Sequence, residues 1–306
     1  MLSSKRSILI TGCSRGGVGH ALALEFAARG MRVFATARST ATLSTLEDKG
    51  IEVFKLDVTD AGSIASLKDE IVKRTGGKLD MLFNNAGTMY EVPAIEADPS
   101  RVRQMFDANV FGLFDMVSAF SPLLLASISS GSNRQTPPTI INTSSILARL
   151  PFPFAAAYNA SKAAVASYSD TLRIELEPLG IKVVTIFMGE VATNLMSSDN
   201  ISFGSDSIYR DAQDATKERT QNHIKNSLKP EAFANQIVEH VFFKNSGYKQ
   251  GEYLWKGTNA ALVRLLSIIG WRKIFDGTVK QAVGFDKGEL QRSIFDKGQA
   301  KAKAKQ

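Results

Sequence analysis

Cysteine is nearly absent from this 306-residue chain: Cys13 stands alone, beside only three histidines. A single thiol closes no internal disulfide, so a crosslinked secreted scaffold is excluded and a reducing, cytoplasmic setting is the simplest expectation. So few Cys and His also leave no ligand set for a dedicated metal site. Long apolar runs are missing too. No stretch reaches the roughly 18 uninterrupted apolar residues of a spanning helix. The apolar run at 7–11 is too short for a secretory core and ends in glycines. Charge of one sign is in small excess: 37 Lys and Arg against 30 Asp and Glu give +7, of which residues 287–306 carry +4. The +3 left on the body predicts no nucleic-acid partner. An apolar share of 44% and a charged share of 22% are those of a globular chain.

What is present is alternation. Apolar runs at 7–11, 32–36, 52–56, 81–84, 139–142 and 182–187 read as strands covered on both faces. Between them, 19–29, 61–74, 101–126 and 155–179 have helical periodicity. Strand and helix in turn, with short connections, predict an α/β parallel sheet with right-handed crossovers. A polar loop is expected at 131–139, a ligand lid at about 189–230, and a last strand at 252–255.

The first strand runs into Thr11-Gly12-Cys13-Ser14-Arg15-Gly16-Gly17-Val18-Gly19 and then a helix. Glycines permit positive φ and close approach of a pyrophosphate, and the helix start offers free N–H groups to it. Placed after strand one of a repeated βα pattern, this loop predicts a dinucleotide site formed by Gly12, Ser14, Arg15, Gly17, Val18 and Gly19. An NAD site usually ends its second strand with an acid for the ribose hydroxyls. Here that strand ends Ala35-Thr36-Ala37-Arg38-Ser39. Arg38 and Arg15 suit a 2′-phosphate, so NADP(H) is the expected cofactor, unless one of them is only a solvated loop residue. Cys13 reads as a small buried or loop thiol rather than a nucleophile.

The chemical signal is Tyr158-Asn159-Ala160-Ser161-Lys162. Tyr and Lys four apart share a helix face. An ammonium near a phenol favours the phenolate and makes a tunable acid for a carbonyl oxygen that receives hydride. Such spacing alone is often a mere surface pair. Here Ser145 follows the strand at 139–142, where its hydroxyl can donate to the same oxygen. Asn84-Asn85-Ala86-Gly87 ends the fourth strand, and Asn109 sits inside the next helix, where an Asn is either a satisfied buried amide or a residue with a use.

This ensemble resembles the short-chain dehydrogenase/reductase superfamily, without a break from Ser7 to about Thr193 and more loosely to about Trp255. The resemblance implies a single Rossmann-like domain over residues 1–257, a doubly wound parallel sheet of about seven strands flanked by helices. It implies that Tyr158 exchanges the proton and Ser145 orients the carbonyl. Lys162 holds the nicotinamide ribose and lowers the tyrosine pKa, and Asn109 keeps a water in the relay. It further places Asp57 and Val58 at the adenine, Asn85, Ala86 and Gly87 along the cofactor, and Val191 and Thr193 at its carboxamide. Ser144 is the fallback if the register is off by one. The glycine loop is one residue longer than the commonest form, and Met188-Gly189 stands where Pro-Gly is usual, which puts the lid geometry in question. The long loop and the Glu252–Gly257 segment are similar to the fungal NADPH-dependent 1-acyldihydroxyacetone-phosphate reductase group.

The expected function is therefore reduction of a hydrophobic ketone, an acyl-dihydroxyacetone-phosphate-like lipid or a secondary-metabolite ketone. A catalytically silent NADP(H)-binding scaffold is the rival of a different class. Met188, Leu195, Met196, Ile201, Phe203, Phe152 and Phe154 either line an apolar pocket or pack the lid. Arg210, Lys217 and Arg219 either serve a phosphate or are solvated helix charges. In residues 258–306, the apolar stretch 260–273 with Arg264, Arg272 and Lys273 could cover the pocket, join subunits or lie on a membrane or lipid-droplet surface. Residues 298–306 read as a mobile solvated tail. The family resemblance implies a dimer or tetramer.

Overall fold

The computed structural model describes residues 5–128, 136–195, 197–198, 201, 203–243 and 252–303. Seven strands form one sheet in the order β3-β2-β1-β4-β5-β6-β7. They are β1 (Ser7–Ile10), β2 (Arg32–Ala37), β3 (Glu52–Lys55), β4 (Met81–Asn84), β5 (Thr139–Ser145), β6 (Lys182–Met188) and β7 (Glu252–Lys256). Every neighbouring pair is parallel. The order reverses between β1 and β4, so a crevice opens there at the strands' C-terminal ends.

Eleven α-helices are described: α1 (Val18–Ala28), α2 (Ser44–Glu47), α3 (Ala61–Thr75), α4 (Pro99–Phe106), α5 (Gly112–Ser127), α6 (Ala156–Leu176), α7 (Gln213–Asn226), α8 (Pro230–Phe243), α9 (Ala260–Ile269), α10 (Asp276–Ala282) and α11 (Gly288–Lys303). On one face of the sheet, Phe26 of α1 and Phe233, Ile237 and Val238 of α8 pack on Ile8, Ile10 and Phe83. On the other, Ile64 and Ile71 of α3, Met116 and Phe120 of α5 and Val165 of α6 pack on Leu9, Leu82 and Ile140. Burial on both sides is why the strands show no polar alternation.

Two elements differ from the sequence reading in ways that matter for the site. The fifth strand runs three residues beyond 142, because Thr143, Ser144 and Ser145 pair with Ile186, Phe187 and Met188. Hydroxyl side chains hide a strand from an apolar count, but their backbone completes the ladder. The helix expected at 101–126 starts earlier, at Pro99, where the Asp98 side chain accepts from Ser100 N at 2.8 Å. It then widens into a π turn at Asp107–Phe111 before α5. Helix Pro99–Ser127 has the length and composition to cross a membrane. Half of its most apolar window is nevertheless buried, against the sheet.

The C-terminal segment is built onto the lid side. Ala260 and Val263 of α9 pack with Ile146, Phe275 and Val279, and with the partly buried Leu147, Leu150 and Phe152. The opposite face of α9 leaves Leu262, Leu265, Ile268 and Ile269 exposed, and Trp271, just past its end, is exposed too. The alternatives for this stretch thus divide by face: one covers the protein and the other is bare. Residues 298–303 are not a loose tail. They continue α11, whose Lys297 and Lys301 pair with Asp211 and Asp206 of the lid at 2.6 and 3.1 Å. The polar loop expected at 131–139 lies mostly outside the described residues.

Gly112 starts α5 where the chain after β3 passes close by. A Cβ there would stand 2.6 Å from the Val58 carbonyl oxygen and 2.9 Å from Val58 Cγ2. Alanine gains about 1 kcal/mol of helix propensity over glycine, while overpacking against a backbone atom costs about 1–3 kcal/mol. Gly112→Ala is expected to lower the unfolding free energy by up to about 2 kcal/mol, read by urea denaturation. A variant as stable as the parent would show that the contact gives way.

Candidate active site

The crevice is assembled by one joint. Thr11 Oγ1 accepts the backbone N–H groups of Asn85 and Ala86 at 3.0 and 2.9 Å. The Asn85 amide returns two bonds, to the carbonyls of Thr11 and Gly12 at 3.0 and 3.1 Å. This ties the glycine loop to the end of β4. Gly12 and Gly16 adopt φ of +74° and +78°, which only glycine takes without strain. A Cβ on Gly12 would meet Ala86 Cα at 2.9 Å, and one on Gly19 would strike the Gly12 carbonyl oxygen. Backbone laid open in this way, before the start of α1, fits a dinucleotide pyrophosphate. Cys13 lies below it, fully buried, its thiol pushed up to about 12 by burial and its Sγ on the Ile10 carbonyl. It is no nucleophile.

At the β2 side of the crevice, Arg15 and Arg38 are both exposed. Arg15 N bonds to the Thr42 carbonyl at 3.2 Å, which brings the glycine loop onto the segment after β2. Asp57 accepts from Thr59 N and Oγ1 at 3.0 and 2.7 Å. Those two bonds hold its carboxyl below the usual range, and the nearby Arg38 charge adds to the effect. Val58 follows it, half-buried. Beyond β6, a Cβ on Gly16 would touch Asn194 Nδ2 at 3.0 Å, so the stretch containing Val191 and Thr193 closes on the glycine loop. Val191 is buried and bridges to Leu228.

The four polar residues converge at the tips of β4 and β5. Tyr158 and Lys162 occupy successive turns of α6, both buried, with Lys162 Nζ 5.8 Å from the Tyr158 ring centre. Lys162 Nζ donates to the Thr143 carbonyl at 2.9 Å. Burial pushes its pKa down to about 8. Burial also drives the Tyr158 phenol up, to about 12, against the pull of the adjacent Ser145 hydroxyl. Removal from water is the larger influence on the phenol. Ser145 Oγ accepts Leu147 N at 3.1 Å and borders the pocket, whereas Ser144 Oγ donates to the Lys162 carbonyl at 2.8 Å, inside the protein. Strand alternation separates the two serines. Asn109 lies in the π turn with its amide fully used: Oδ1 accepts Thr88 N at 2.7 Å, and Nδ2 donates to the Thr88 carbonyl and Ser161 Oγ. A Cβ on Gly87 would stand 3.1 Å from Asn109 Oδ1 and 3.6 Å from Lys162 Nζ, so Gly87 keeps that corner open.

Beside Tyr158 and Ser145 opens a pocket of about 700 Å³, counting its open mouth. Its walls are mostly apolar: Met89, Ile146, Leu147, Leu150, Phe152, Met188 and Leu195 among them. Of the lid residues expected there, Met188, Leu195 and Phe152 line it. Ile201, Phe203 and Phe154 instead form a core of their own with Ala212 and Val283, since the lid must pack on α10 and its neighbours to exist. Met196 lies outside the described residues. Arg219, read as phosphate-binding or solvated, is neither: it is buried and paired with Glu91. Arg210 is spent on the lid itself, donating to the Phe203 carbonyl and Gln213 Oε1. Glu91, His223 and the run from Ile146 to Leu150 were missed, and nothing in their spacing marks them. Met188-Gly189 closes tightly in place of Pro-Gly. Gly189 N bonds to the Lys256 carbonyl at 2.8 Å, and a Cβ on it would strike Thr258 O.

Comparison with known proteins agrees with this architecture. The family model for the short chain dehydrogenases matches residues 6–202. The short-chain dehydrogenase virD of Hypocrea virens is 38% identical over 279 residues, covering 90% of this chain and 92% of that protein. An NADPH-dependent 1-acyldihydroxyacetone phosphate reductase of Schizosaccharomyces pombe is 42% identical over 196 residues, 64% of this chain and 63% of that one. Among solved structures, a 3-ketoacyl-(acyl-carrier-protein) reductase from Brucella melitensis complexed with NADH superposes with a TM-score of 0.66 at 26% identity, over 83% of this chain and 97% of that one. The chain belongs to the short-chain dehydrogenase/reductase family. It is an oxidoreductase of the kind that binds NAD(P)(H) and acts on a CH–OH or ketone group.

The buried lysine gives a pH signature. In the unfolded chain Lys162 keeps its proton to about 10.5, and in the folded protein only to about 8. Between those values the unfolded state binds more protons, so folding gains stability as pH rises. The stability of the cofactor-free protein relative to Lys162→Met is therefore expected to be flat below pH 8 and to climb from pH 8 to 10. Urea unfolding across that range reads it; a constant difference would refute the assignment.

Proposed function

We propose that this chain uses NADPH to reduce a hydrophobic ketone to a secondary alcohol. The observation that carries this reading is the placement of Tyr158 and Ser145 together on the border of an apolar pocket, beside the glycine crevice. A dinucleotide held by the glycine loop and the end of β4 would supply the hydride. The chain's own residues handle the oxygen. The Tyr158 phenol, pushed up to about 12, is protonated at neutral pH and is a proton donor to the oxygen as charge develops there. The Ser145 hydroxyl donates to the same oxygen and orients it. Lys162 keeps its proton at neutral pH but yields it more readily than a free lysine, which suits resupply of the phenol. Asn109, clamped on Thr88 and Ser161, fixes the floor beneath them. Pocket walls of Met, Leu, Ile and Phe exclude water and favour an apolar substrate.

Arg15 and Arg38, with no acid at the end of β2, support NADPH over NADH. The printed name of the Schizosaccharomyces pombe relative points the same way. A second copy of the chain is the partner we propose for the outer surface of α5 and α6, where Phe111 and Ile174 are exposed.

NADPH oxidation in the presence of bulky aryl or alkyl ketones tests the reading. Tyr158→Phe is expected to lower kcat by about 100- to 10,000-fold, the usual contribution of a general acid, while NADPH still binds. Arg38→Ala is expected to weaken NADPH by about ten-fold or more relative to NADH. Full turnover in Tyr158→Phe would end the proposal, and an unchanged cofactor preference in Arg38→Ala would end its NADPH part.

A further inference from the structure

One part of the pocket wall is built from charge. Arg219 of α7 and Glu91, on the stretch after β4, meet at 2.7 Å between Nη2 and Oε1, with side chains only 7% and 6% exposed. Nη2 also donates to Thr220 Oγ1 at 2.8 Å. The guanidinium lies over the Phe152 ring, 4.3 Å from its centre, so it is held on three sides. Its Nε–H is buried and has no hydrogen-bond partner among the described residues. Both Arg219 and Glu91 border the same pocket as Tyr158.

Stability does not account for this arrangement. A hydrophobic pair of similar volume would close the wall at least as well as a buried ion pair. A buried donor without an acceptor loses hydration and receives nothing in return. A preorganised guanidinium on the border of a mostly apolar pocket is instead the device by which a site reads one polar group on its ligand. The charge balance says which group. Glu91 neutralises the guanidinium, and the other basic residue described in the wall, His223, faces Glu190 at 3.9 Å. A phosphate dianion would find no uncompensated positive charge there and would face two carboxylates. An uncharged acceptor oxygen meets no such penalty.

We propose that Arg219, steadied by Glu91 and Phe152, is a specificity-determining residue that donates a hydrogen bond to a second, uncharged oxygen of the ketone held at Tyr158. The substrate class is then a hydrophobic ketone bearing a further hydroxyl or carbonyl, and not a phosphate monoester. This rests on the ketone-reduction reading above and narrows it.

The test uses the full chain loaded with NADP+, and measures both binding and, with NADPH, kcat/KM. The probes are tetralone, its ring-hydroxylated derivatives and the phosphate monoesters of those derivatives. At least one hydroxylated tetralone is expected to bind and react about ten-fold or more better than tetralone itself, and its phosphate ester worse. The double variant Glu91→Met/Arg219→Met, which leaves no buried charge unpaired, is expected to bring that ratio to within about two-fold. Arg219→Lys keeps a cation beside Glu91 but loses the planar fork, and is expected to lower the ratio as well, should the double variant not fold. Each readout is a ratio within one protein, so a general loss of packing does not mimic it. No preference in the wild type, an unchanged ratio in the variants, or a phosphate ester that is the best ligand would each overturn the proposal. Absence of turnover with any ketone, while the hydroxyl preference in binding persists, would instead sink ketone reduction and leave the anchor standing.

Discussion

The site hangs on a single threonine. Thr11 closes β1, and its hydroxyl takes two backbone N–H groups from the end of β4. In a doubly wound sheet, β1 and β4 are neighbours whose connections leave in opposite directions, so their tips would otherwise splay. The Thr11–Asn85 joint prevents that, and every later requirement assumes it. The glycine loop can lie open only because Asn85 anchors the carbonyls of Thr11 and Gly12. Gly87, two residues beyond Asn85, can then leave the corner free at which Asn109 and Lys162 meet.

The second constraint is dryness. Tyr158 and Lys162 are buried against the tip of β5, and burial moves their proton affinities in opposite directions, the phenol up and the ammonium down. Both stay protonated at neutral pH, yet the two values, nearly equal in water, are driven apart and their order reverses, so that the ammonium becomes the stronger acid of the pair. The wall that keeps the site dry is shared. Leu147, Leu150 and Phe152 face the pocket on one side and the inner face of α9 on the other. The C-terminal helices are thus part of how the reaction centre is sealed, although the family match ends at residue 202.

Much of the fold was legible because it rests on local pattern. Apolar runs announce themselves: six of the seven strands overlap such runs, and β7 lies where a last strand was expected. The placement of Tyr158, Lys162 and the glycine loop was legible because spacing within one helix or one turn sets it. Glu91 and Arg219 were not. They are 128 residues apart, and only the lid's path across the pocket brings them together. On a helix as polar as α7, a buried arginine looks like any solvated charge. Ile201 and Phe203 failed for the converse reason: an apolar residue in a lid serves the lid's own core as readily as a ligand.

The distribution of unsatisfied groups carries the argument further. Buried polar atoms are nearly always paired, so the exceptions are informative. Among the described residues six such atoms have no partner: Asn84 Oδ1 at the end of β4, Thr143 Oγ1 near the end of β5 and Arg219 Nε in the pocket wall, and, outside that wall, His20 Nδ1, Asp170 Oδ1 and Arg173 Nε. Asn84 does not lack opportunity, since its amide nitrogen bonds Asn142 Oδ1 at 2.9 Å, and Asn142 in turn bonds Ser169. The chain therefore places polar groups where the two strand tips and the lid converge, at a cost to the fold. A protein held together chiefly by two apolar faces of a sheet needs none of them there. Half of the unpaired atoms thus stand at the strand tips and in the pocket wall, beside Tyr158 and Ser145, where polar groups serve chemistry rather than packing.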